Sequence, residues 1–108
     1  MKDKVDFLPL GSVVIIRGGV KKFVIVARAL KLNVNGKAHF FDYAACSYPE
    51  GMMGDRLMYF QHSEISKVVF EGFVDEDEKM MCENIQRAME MSGVKHANVR
   101  QLKQDMGN

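Results

Sequence analysis

The stretch SVVIIRGGVKKFVIVARAL, residues 12–30, sets two runs rich in Val and Ile on either side of a Gly-Gly pair. β-Branched side chains suit a pleated strand, and two adjacent glycines accept the positive φ that a tight reversal needs. The stretch therefore reads as a β-hairpin, with Ser12 to Arg17 pairing with Phe23 to Leu30. Downstream, Asn33-Val34-Asn35-Gly36 is a turn whose Asn-Gly pair favours left-handed backbone, and His39 to Ala45 follows as a third strand of a meander. Beyond the loop Tyr48-Pro49-Glu50-Gly51-Met52-Met53-Gly54, Leu57 to Gln61 and Lys67 to Phe73 read as two more strands, joined by His62 to Ser66.

Five short strands in so little chain leave no room for parallel crossovers. The expected fold is α+β, with a curved five-stranded antiparallel sheet or half-open barrel over about 12–74. At Asp75 the apolar period becomes helical. Asp75 and Glu78 have the spacing of a capping box, and Glu76 and Asp77 oppose the positive end of the helix dipole. Met81, Ile85, Ala88 and Met89 share one face of a helix over about 75–91, expected to pack on the sheet, with Gly93 placed to stop it. Residues 94–108 read as a short second helix or a tail, and the N-terminal arm up to Leu8 as a flexible lead-in. The whole chain of 108 residues reads as one domain.

Fifteen Lys and Arg against fourteen Asp and Glu give a formal charge of +1, a weak attraction for nucleic acid. No apolar run approaches a membrane span and the N-terminus is polar, so a cytoplasmic location is expected. Cys46 and Cys82 stand far apart with no sign of secretion and are read as reduced.

The residue patterns that would carry catalysis are incomplete. His39, His62, His96, Cys46 and Cys82 show no paired metal-ligand spacing, and no cofactor is expected. His39 and Cys46 alternate onto opposite faces of their strand, which separates a base from a nucleophile. Arg17-Gly18-Gly19-Val20-Lys21-Lys22 carries glycines and positive charge but leads into a strand, not the helix a phosphate cradle requires. The acidic run Asp75-Glu76-Asp77-Glu78 reads as a solvated helix end. The nine methionines are more distinctive: most are expected to fill the core, while Met52-Met53 stands in a Gly-flanked loop, where thioethers adapt to a partner surface.

Leu8-Pro9-Leu10-Gly11-Ser12-Val13-Val14, the Gly-Gly turn with Lys21-Lys22, Phe41-Asp42-Tyr43, Tyr48-Pro49-Glu50-Gly51 and Phe70-Glu71-Gly72-Phe73 occur in that order. Over about residues 7 to 80 this pattern resembles a family of small uncharacterised bacterial proteins, mostly Gram-positive, encoded beside the toxins and helical substrates of the type VII (Esx) secretion system. The resemblance implies no catalytic residues. It implies an accessory role: a chaperone or adaptor that binds a secreted toxin or substrate, or an immunity protein that neutralises one. The residues expected to meet that protein partner are Tyr48, Pro49, Glu50, Met52 and Met53 in the loop and Tyr59 in the strand after it. An unpaired sheet edge is a second expected contact, for a partner strand or for a homodimer.

Overall fold

A computed structural model describes residues 6–92, so the expectations for Gly93 and for residues 94–108 fall outside the described residues. The chain forms β1 (Val13–Ile16), β2 (Lys22–Val34), β3 (Lys37–Ser47), β4 (Met58–Phe60), β5 (Ile65–Phe70) and the helix α1 (Glu76–Ser92). Every strand pairing is antiparallel, in the order β4-β3-β2-β1-β5. The sheet is open, with β4 and β5 as its edges, and not the half-open barrel offered as the alternative.

The β2–β3 hairpin is longer than its apolar run suggests. Asn35 (φ 54°) and Gly36 (φ 83°) both take left-handed backbone, a two-residue reversal that lets the ladder close at Val34↔Lys37. Lys31 and Asn33 are exposed and alternate with half-buried Leu32 and Val34, so residues that read as turn continue the strand. Burial in β3 does not alternate between its two faces: Phe40 to Cys46 are all buried. This strand lies between β2 and β4, with both of its faces covered.

The main core gathers Val14, Ile25, Tyr43, Ala45 and Phe60 from the sheet, with Phe7 added from the N-terminal segment. Phe7 meets Tyr43 edge-to-face at 5.8 Å between ring centroids, and the Leu8 N–H donates to the Tyr43 hydroxyl at 2.9 Å. From Phe7 onward, then, the expected flexible lead-in is a docked segment. Helix α1 closes this core with half-buried Cys82, Ile85 and Met89. Met80, Met81 and Met91 are exposed, so the helix methionines divide between core and surface. The Asp75 carboxylate accepts the Glu78 N–H at 3.0 Å and caps the helix.

β5 begins before the expected Lys67 and ends at Phe70, short of the expected Phe73. Gly72 explains the early end. A Cβ there would stand 2.2 Å from the Leu10 carbonyl oxygen and 3.1 Å from the Ser12 nitrogen, both backbone atoms. Its own N–H donates to Ser12 Oγ at 3.0 Å. Gly72→Ala is expected to lower stability by about 1–3 kcal/mol, since backbone on both sides cannot move aside cheaply. A thermal melt checks this, and an unchanged midpoint would show that the contact relaxes freely.

Candidate functional site

The loop after β3 is built to hold its shape. The Gly51 N–H donates to the Ser47 carbonyl at 2.8 Å, closing a tight reversal in which Gly51 takes φ 80°, and the Tyr48–Pro49 peptide is cis. The Tyr48 N–H donates to the Lys22 carbonyl at 3.0 Å, fastening the loop to the start of β2. Two side-chain contacts repeat that attachment. Lys21 Nζ donates to both Glu50 carboxylate oxygens, at 2.8 and 2.9 Å, and Lys22 Nζ lies 5.6 Å from the Tyr48 ring centroid. The Lys21 bond holds the Glu50 carboxyl below its usual range. Each contact is solvent-screened and individually weak, but together they restrict the orientation of the loop.

What the loop presents is apolar. Tyr48 is 47% exposed, Met52 57% and Met53 50%, with Pro49 exposed beside them. Tyr59 is placed differently: it is half-buried, 5.8 Å from Phe41 between ring centroids, and belongs to a small second cluster with Leu32 and Val34. The structure thus brings Tyr48, Pro49, Glu50, Met52 and Met53 together on one loop and assigns Tyr59 to packing.

Two polar clusters were not singled out in the sequence. In the first, Arg28 on β2 donates to both carboxylate oxygens of Glu78 on α1, the NH2 bond measuring 2.9 Å. Arg28 also donates to the Leu8 carbonyl at 3.3 Å, and the Cys82 thiol donates to Glu78 at 3.2 Å. Glu78 therefore turns towards the sheet rather than completing a capping box, and it is not part of a solvated helix end. The Arg28 bond holds the Glu78 carboxyl below its usual range, whereas burial and the neighbouring carboxylate push the Cys82 thiol up. A thiol so placed is mostly protonated at neutral pH and is a poor nucleophile.

The second cluster surrounds fully buried Tyr43. Its hydroxyl, accepting from Leu8, hydrogen-bonds His62 Nδ1 at 2.7 Å, and burial raises the phenol above its ordinary value. The His62 N–H donates to Asp42 Oδ2 at 2.7 Å. Gln61 accepts the Asp42 N–H and donates to the Phe40 carbonyl, both at 2.9 Å, so a side chain continues the β3–β4 hydrogen bonding past Phe60. These groups satisfy one another and hold the 3₁₀ turn His62–Glu64 against β3. A lone arginine in the apolar run of β2 was the one sequence signal that an acidic partner was needed.

Among the described residues, no group of His, Cys, Asp and Glu is arranged to hold a metal ion, and no helix is long and apolar enough to cross a membrane. A shallow groove of about 250 Å³ runs between β2 and α1, lined by Leu10, Val26, Ala29, Met81, Ile85 and Met89. On the β5 side, Val68, Val69, Phe70, Phe73 and Val74 are all exposed.

Compared with known proteins, residues 7–81 match the profile of a family described as a domain of unknown function, DUF4176. No curated protein and no solved structure matches the chain.

Proposed function

The chain belongs to the DUF4176 family of domains of unknown function, and from that premise we propose that it is a non-catalytic protein-binding accessory factor. In this reading it is a cytoplasmic chaperone or adaptor that holds a secreted toxin or substrate of a type VII locus before export. The observation that carries the reading is the tethered Tyr48–Met53 loop, which presents one aromatic and two thioether side chains to solvent. Aromatic residues and Met are enriched at the centres of protein interfaces, and a loop already held in shape loses little entropy when it binds. The locus comes from the resemblance of the Leu8–Val14, Phe41–Tyr43, Tyr48–Gly51 and Phe70–Phe73 segments to proteins encoded beside type VII toxins.

Met52→Ala with Met53→Ala is expected to cost about 2 kcal/mol or more of binding to the toxin encoded nearest the gene, roughly thirtyfold in Kd. Calorimetric titration of the purified toxin measures it. The melting temperature should hold, because both side chains are exposed. Unchanged affinity would remove the loop from the interface. Growth of cells expressing the toxin separates the two accessory roles: protection by this chain would indicate an immunity protein, whereas binding without protection supports a chaperone or adaptor.

A further inference from the structure

Residues paired directly across antiparallel strands point to the same side of a sheet, so the register shows what each face carries. Helix α1 covers the side that holds Val14, Ile25 and Ala45. On the other side Val24 pairs with Cys46 and with Val13, and Val13 pairs with Phe70, which draws an apolar row across β3, β2, β1 and β5. In the next row Ile15 pairs with both Lys22 and Lys67. The Tyr48 N–H bond to the Lys22 carbonyl sets the Tyr48–Met53 loop at the end of that second row.

Phe70 and Lys67 share this face because β5 is bulged. Phe70 pairs with Val13, Val68 with Val14 and Lys67 with Ile15, which leaves Val69 as an extra residue. In a regular strand two residues three apart point to opposite sides; the extra residue turns both the same way. Bulges on an edge strand also oppose the addition of a further strand, so β5 offers a partner its face and not its edge. Val13, Ile15 and Val24 are half-buried, Phe70 is 61% exposed, and Lys22 and Lys67 are exposed. The two lysines stand two strand spacings apart, so their stems start about 10 Å from each other, on either side of Ile15.

We propose, on the protein-binding reading above, that the protein held by the Tyr48–Met53 loop continues across this face with an acidic segment. Its carboxylates meet Lys22 and Lys67, and its apolar side chains meet Val24, Val13 and Phe70. Charge complementarity carries the choice of partner: Lys21 already has Glu50, whereas among the described residues neither Lys22 nor Lys67 joins an ion pair. An anionic bilayer is the poorer match. Attachment to one by charge takes clusters of about four or more Lys and Arg, and this face carries two, on a chain of net charge +1.

Lys67 and Phe70 lie on β5, apart from the loop, so they report on the face alone. Calorimetric titration of the full chain with the purified toxin encoded nearest the gene should show Lys67→Glu and Phe70→Ala each weakening binding by about tenfold or more. Lys67→Glu should keep the wild-type melting temperature, because the side chain is exposed. Added salt should weaken the wild type more than Lys67→Glu. A toxin that binds Lys67→Glu as it binds the wild type would overturn the acidic segment and leave the loop reading standing. A toxin that does not bind the wild type removes the loop reading and the acidic segment together. Two further measurements identify other occupants, and either result would overturn the proposal. Sedimentation of the chain alone as a dimer that Lys67→Glu dissociates would assign the face to a second copy. Co-sedimentation of the wild type, but not Lys67→Glu, with phosphatidylserine vesicles would assign it to a membrane.

Discussion

Glu78→Ala is expected to lower the unfolding free energy by about 3–5 kcal/mol, because it leaves a buried guanidinium without its counter-charge. The Arg28 side chain is 5% exposed and that of Glu78 14%. Helix α1 has no fully buried residue and meets the core only through half-buried Cys82, Ile85 and Met89. A two-pronged ion pair to β2 is therefore a large share of what fixes the helix on the sheet. Replacing both partners by apolar groups, Arg28→Met with Glu78→Leu, should recover most of the loss, since the desolvation cost of both charges is then absent.

The same pair fixes a direction with pH. Glu78 has its folded-state carboxyl lowered from 4.5 by the Arg28 bond. Its contribution is thus present above the unfolded value and lost as pH falls through the lower folded value. Denaturant titrations from neutral pH into acid should show the wild type losing more stability than Glu78→Ala, with the two curves converging. Parallel curves would mean that the carboxylate contributes nothing through its charge.

Tyr43→Ala should cost about 3–5 kcal/mol, the range for removing a large buried ring that its surroundings cannot replace. Tyr43 is fully buried and packs on Phe7, Phe60 and His62, at centroid distances of 5.8, 5.5 and 5.8 Å. Tyr43→Phe keeps the ring but leaves the Leu8 N–H without its acceptor, and should cost about 1–3 kcal/mol. That smaller loss should be local: limited proteolysis ahead of Pro9 should accelerate in Tyr43→Phe while β3 stays protected. Equal losses in the two variants would place the whole effect in the hydroxyl, against the packing account.

The parts of this fold that were legible in the sequence are those encoded locally. The Gly18-Gly19 and Asn35-Gly36 reversals, the Val and Ile runs of β1 and β2, and the Asp75 cap each write their structure within a few residues. What stayed hidden depends on partners distant in sequence. β3 is buried from Phe40 to Cys46, which no alternation rule could foresee, because its setting between β2 and β4 with both faces covered is a tertiary fact. Glu78 read as one of four acids at a helix start because its partner, Arg28, is fifty residues away. Phe7 and Leu8 read as lead-in because their acceptor and packing partner, Tyr43, lies on β3. Of the candidate site, the exposed Met pair followed from its Gly-flanked setting. The attachment of that loop to Lys21 and Lys22 did not, since it joins two turns that only the sheet brings together.

The central claim is that this chain binds a secreted protein through the Tyr48–Met53 loop. Its most direct test is co-expression of the tagged chain with the neighbouring toxin, purification, and mass determination of the product, repeated with Met52→Ala/Met53→Ala. The account predicts a stoichiometric complex for the wild type and free, folded chain for the variant. A wild-type chain that elutes alone, or a variant that retains the complex in full, would contradict it.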